Sequence, residues 1–157
     1  MTKHIFIIIS LLIFCFISAL IIKLILSFQD WDGSTVLDLG FLAFNLKYTI
    51  NTGINFGLAS DSSNSRQMLL AGLAILISLG FITFSLVRNT TGVVIATGLI
   101  AGGGFANAYE RLAYTGVFDY LNITAAGITN PFAFNIADIY IFFGAVLFLF
   151  SGRMKIN

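Results

Sequence analysis

Four apolar stretches, each about the 20 residues that carry a helix across a bilayer, constrain this 157-residue chain more than any other feature. They run from about residues 5 to 28, 67 to 87, 92 to 112 and 131 to 150. Lipid offers the backbone no hydrogen-bond partner, so a stretch of this kind must satisfy its own N–H and C=O groups, and a helix does that. Composition agrees. Hydrophobic residues make up 58% of the chain and charged residues only 10%, against roughly 25% charged in an ordinary soluble domain. The fold class expected is therefore an all-α membrane protein of four transmembrane helices, a single integral membrane domain over residues 1–157. The net charge of +1, with no basic run, gives no footing for nucleic acid.

The first stretch opens with Lys3 and His4, like a secretory signal, but is longer than the 7–15 residues of a signal core and carries Lys23 near its end. Phe14, before Cys15, is too bulky for a lipobox, so the stretch is read as a retained helix and Cys15 as a packing residue. Residues 29–66 turn polar and aromatic, and the run from Phe41 to Ile50 partly alternates, which suits short strands lying on the membrane as a small extracytoplasmic β-cradle. Trp31 fits the headgroup level. Gly98, Gly102, Gly103 and Gly104 in the third stretch are read as close-packing residues, since no strand precedes them and no P-loop lysine follows. Pro131 suits the first turn of the fourth helix.

Orientation follows from Lys3, Arg88, Arg153 and Lys155, which alternate spans place on one side. Basic residues favour the cytoplasm, so both termini are expected there and residues 29–66 and 113–130 outside. The lone His4 lies at the cytoplasmic face and there is no cysteine cluster, so neither a metal nor another cofactor is expected.

Four polar segments converge on the outer side: Asn51 to Gly57, Asn107 to Arg111, Val117 to Tyr120, and Phe134 to Asp138. Acids at a span cost a few kcal/mol and call for a reason. Two carboxylates in a partly dry site resist joint ionisation and share a proton, so Asp119 and Asp138 suit an aspartyl protease: one takes a proton from water while the other polarises a carbonyl. On topology alone a second reading stands beside it, in which Glu110 and Arg111 form a helix-end ion pair while Asn135 and Asp138 satisfy loop backbone. A small proton transporter fits less well, because the acids cluster at one face instead of lining a path across the membrane.

In combination the four segments resemble the lipoprotein signal peptidase family, also called signal peptidase II. Asn51, Gly53 and Phe56 match its Asn-x-Gly-x-Ala-Phe stretch, Asn107 and Arg111 its Asn-x-x-Asp-Arg motif, Asp119 its Val-x-Asp-Phe motif, and Phe134, Asn135, Ala137 and Asp138 its Phe-Asn-x-Ala-Asp motif. The resemblance implies a multi-pass protein of the bacterial cell inner membrane that cuts signal peptides from diacylglyceryl-modified prolipoproteins, with Asp119 and Asp138 catalytic. It implies substrate-binding or supporting roles for Asn51, Gly53, Asn55, Phe56, Asn107, Glu110, Arg111, Asn135 and Ala137. The chain departs from the pattern at Ala19, where the family has an aspartate four residues before the Lys23 position, at Asn55 for alanine, and at Glu110 for aspartate. Ala19 and Asn55 motivate an alternative, a non-cleaving member that holds a lipid-anchored or single-span membrane partner in the substrate groove.

Overall fold

The computed structural model describes residues 2–27, 33–53, 64–88 and 90–151. Helices α1 (Thr2–Leu26), α2 (Asn64–Arg88) and α3 (Thr91–Tyr114) are long and apolar enough to cross a membrane, and α4 (Ile136–Ser151) is a shorter apolar helix. A four-stranded antiparallel sheet completes the fold, in the order β1 (Thr35–Asp38), β2 (Leu42–Asn51), β3 (Val117–Ala125), β4 (Ile128–Thr129).

Helix α3 is the axis of the bundle. In its most apolar 18 residues 67% are buried, against 17% for α1 and for α2. The difference follows from side-chain size. A Cβ at Gly98 would lie 2.7 Å from Cβ of Leu11, and one at Gly102 would lie 2.6 Å from Cβ of Cys15, so both glycines bring α1 in. A Cβ on Gly103 would strike the carbonyl of Ala137 on α4, and one on Gly104 the hydroxyl of Ser78 on α2. Three helices thus close on one small-residue core, where packing and not the hydrophobic effect must hold them in lipid. Large apolar side chains such as Phe6, Phe14, Leu69, Leu76, Phe142 and Leu149 are left on the outside. Such a surface would be a liability in water and is ordinary against acyl chains.

The structure corrects two expectations. The fourth helix does not begin at Pro131: residues 131–135 stay irregular because Phe134 pairs with Leu121 of β3, and helical geometry starts at Ile136. Strands are not confined to residues 29–66 either, since β3 and β4 come from the polar segment after α3, where Thr124 pairs with Thr129 across a turn at Ala126 and Gly127. The mixed content makes the chain mostly helical, with a sheet larger than the sequence suggested.

The turn from α3 into β3 sets the position of Asp119. Thr115 caps α3 in the left-handed conformation at φ 57°, and Gly116 lies so close to β2 that a Cβ would come 2.8 Å from Cγ2 of Ile50. The chain therefore passes straight from the helix into the strand. There Phe118 and Tyr120 pack against Ile22 and Leu26 of α1, while Asp119 pairs with Thr49 of β2. The β2–β3 register shifts between Leu46 and Thr49, immediately beside that pair. A bulge at that point re-aims the strand next to the acid.

Close packing gives a direct test. Gly102→Ala is expected to lower the thermal midpoint in detergent micelles, with a loss of about 1–3 kcal/mol typical of overpacking, whereas Gly80→Ala, with nothing within 4 Å of its new methyl, should leave it unchanged or raised. Equal behaviour of the two variants would contradict the packing argument.

Candidate active site

Asparagines do most of the work of assembling the site. Asn135 is the N-cap of α4, and its Oδ1 accepts from the backbone N–H of Ala137 (2.7 Å) and of Asp138 (3.2 Å). Asp138 answers with Oδ2, which accepts from the N–H of Asn135 at 3.0 Å. This is a reciprocal capping box, and it fixes Asp138 in the first turn of the helix. The Nδ2 of Asn135 is then free to reach outward, donating to Oδ1 of Asp119 (2.9 Å) and Oδ1 of Asn107 (3.1 Å). Asn107, on α3, donates its own Nδ2 to Oδ1 of Asp138 at 2.8 Å. Two amides from two helices thereby link the two acids.

Asn51, at the end of β2, closes the other side. Its Nδ2 donates to Oδ2 of Asp119 (2.9 Å) and its Oδ1 accepts from the N–H of Gly53 (3.0 Å). Gly53 has φ +132°, a conformation that side chains resist, and a Cβ would also press on Leu70 at 3.3 Å. Gly53 thus lets the chain turn so that its N–H holds the Asn51 amide.

Asp119 is only 2% exposed. Burial pushes its carboxyl from the ordinary 3.8 up to about 6, against the pull of the Asn51 donor; Asp138 raises it further, Asn135 lowers it, and Glu110 raises it. The group therefore carries a proton below about pH 6 and gives it up within the range where enzymes work. Asp119 also lines a cleft of ≈ 350 Å³, together with Asn51, Gly53, Leu70, Arg111 and the Pro131–Ala133 segment.

The remaining expected residues divide. Arg111 lies on the cleft, and its Nη1 donates to Oε1 of Gln67 at 3.0 Å, while Gln67 Nε2 donates to the carbonyl of Thr52 at 2.6 Å. Ala137 packs with Ala19 and Ala106 in a small apolar cluster and contributes backbone to the cap. Glu110 is not paired with Arg111 as a helix-end reading would have it; it bonds Lys23 of α1 and the backbone of Phe118, each at 2.8 Å. Asn55 and Phe56 lie outside the described residues.

Sequence reasoning missed Gln67, which is fully buried and ties Arg111 to the end of β2. An amide in the first turn of an apolar span was the one signal for it. It also missed Asn122, whose Nδ2 donates to the carbonyls of Asn130 (2.7 Å) and Phe132 (2.9 Å) and so holds the wall of the cleft. A β-strand asparagine in a segment taken for a loop gave no such hint.

Comparison with known proteins bears on what this arrangement is. The family model described as signal peptidase (SPase) II matches residues 7–153. A lipoprotein signal peptidase of Tolumonas auensis is 32% identical over 115 residues, covering 71% of this chain and 70% of the relative. One from Yersinia pseudotuberculosis is 37% identical over 115 residues, with 71% and 67% covered. The fold is similar to the solved structure of a bacterial membrane enzyme, with a TM-score of 0.72 at 18% identity over 99% of this chain and 96% of that one. With its apolar helices and a family match over nearly its whole length, this multi-pass bacterial membrane protein belongs to the signal peptidase II family and is a protease.

Proposed function

We propose that the chain is an aspartyl endopeptidase of the bacterial inner membrane, with four spans and cytoplasmic termini, that removes signal peptides from diacylglyceryl-modified prolipoproteins. The observation that carries this reading is the pair Asp119 and Asp138, linked through Asn135 and Asn107 at the edge of a cleft. Both helices that supply the link adjoin β3 at their ends, so a substrate anchored in lipid would meet the dyad where the bundle gives way to the sheet.

The chemistry follows from proton sharing. Burial of Asp119 supports giving it the shared proton, which it places on the scissile carbonyl oxygen as water attacks. Asp138, whose two oxygens both accept hydrogen bonds, takes the proton released by that water. The tetrahedral intermediate then collapses, with the proton on Asp138 passing to the departing amine nitrogen and Asp119 recovering its own. Asn51, Asn107 and Asn135 orient the carboxylates, and Arg111 and Gly53 shape the cleft wall. Prolipoprotein recognition is supported by the relatives, which are lipoprotein signal peptidases. The departure at Ala19 lies in an apolar cluster with Ala106 and Ala137, and needs no polar partner to be stable.

Asp119→Asn and Asp138→Asn are each expected to lower cleavage of a diacylglyceryl-modified prolipoprotein by about 10³-fold or more, within the range for loss of acid–base catalysis, while membrane insertion is retained. The check is a mobility-shift assay with purified protein in lipid, and undiminished turnover by either variant would rule out the dyad. The pH profile offers a second test. Asn51 donates to Asp119 and favours its ionised form, so Asn51→Ala should let the acid hold its proton to higher pH. The alkaline limb of kcat/KM is expected at higher pH than in the parent, and a limb that stays put or moves down would contradict the assignment of the proton to Asp119.

A further inference from the structure

Among the described residues Glu110 is the most deeply placed charge outside the proposed dyad, only 4% exposed, and the proposed chemistry does not use it. Its Oε2 accepts two hydrogen bonds of 2.8 Å, one from Nζ of Lys23 on α1 and one from the backbone N–H of Phe118 on β3. Phe118 immediately precedes Asp119. The ammonium of Lys23 is itself fixed, lying 4.2 Å from the centre of the Tyr114 ring in the last turn of α3.

What this carboxylate spans is informative. Between Glu110 and Phe118 the chain leaves α3 through Thr115, a β-branched residue held at φ 57°. A left-handed threonine costs energy and persists only where its surroundings over-determine it. The turn's own hydroxyl does not supply that constraint, since Oγ1 of Thr115 bonds the adjacent carbonyl of Tyr114. The bond from Phe118 to Glu110 adds a constraint to that of the β2–β3 pairing, because it ties the first residues of β3 to the end of the helix they have just left. Lys23 keeps the carboxylate from swinging away and offsets the cost of burying its charge.

We propose that Glu110, anchored by Lys23, is a positioning residue: it clamps the backbone of Phe118 and so sets where β3 presents Asp119. The glutamate arm lets one carboxylate oxygen serve α1 and β3 at once. Its consequence for turnover rests on the reading of Asp119 as catalytic.

The test compares three full-length proteins in lipid, each assayed with the diacylglyceryl-modified prolipoprotein and by amide hydrogen exchange across residues 117–121. Glu110→Gln keeps an oxygen acceptor for Phe118, and its kcat is expected within about threefold of the parent, with exchange unchanged. The double variant Lys23→Met with Glu110→Met replaces both charges by apolar groups of similar shape, a change that folds tolerate far better than an orphaned charge. It is expected to lose about 10²-fold in kcat, the scale of a misplaced reacting group, with KM within about threefold and faster exchange at 117–121 alone. Parental kcat together with parental exchange in the double variant would overturn the proposal, as would a loss shared equally by Glu110→Gln. If the parent itself cleaves nothing, the functional reading falls, and the exchange comparison still decides the clamp.

Discussion

The close approach of three helices to α3 is what the rest of the structure depends on. Gly98, Gly102, Gly103 and Gly104 give up side chains so that α1, α2 and α4 can each touch the same backbone. A bundle built around bulkier residues would set those helices farther apart, and the amides that join them at the sheet end would no longer reach. Asn107 on α3 meets Asp138 on α4 at 2.8 Å, and Arg111 on α3 meets Gln67 on α2 at 3.0 Å. These polar contacts lie about one and about two turns beyond the glycine run. The apolar core is therefore the ruler against which the polar site is measured.

Much of this was legible in the sequence, for reasons that differ by element. Helices α1, α2 and α3 could be read because a bilayer imposes one length and one composition on whatever crosses it. The observed bounds of α3, Thr91–Tyr114, extend the expected ones only slightly at either end. The strands were harder. The alternation in Phe41–Ile50 announced β2, but β3 is buried on both sides at Val117 to Tyr120, so the half-wet periodicity that marks a strand never appears. The start of α4 was misread because Pro131 is compatible with a helix, and only the long-range pairing of Phe134 with Leu121 forbids one.

The site shows the same division. The family resemblance pointed to Asn51, Asn107, Asn135, Asp119 and Asp138, and these are the residues that the hydrogen bonds join. No spacing could reveal that Glu110 serves Lys23 and Phe118 instead of its neighbour Arg111, because those partners come from α1 and from β3 beyond the turn at Thr115. Asn122 was invisible for a related reason, and Gln67 showed only as an amide in an apolar span: each bonds to backbone carbonyls or to a distant side chain, and such partners leave no mark in a sequence.

The capping box at the head of α4 also bears on how the molecule comes into being. Asn135 starts the last helix with its side-chain oxygen, while its side-chain nitrogen holds Asp119 directly and reaches Asp138 only through Asn107, so starting the helix and joining the two acids depend on one residue. During synthesis, a chain that has emerged only as far as β4 already contains α1 to α3 and every strand of the sheet, yet it lacks Asn135 and Asp138. On the proposed reading such a chain has only one acid of the dyad. On that reading, order of synthesis keeps the proposed active site incomplete until the last helix is made.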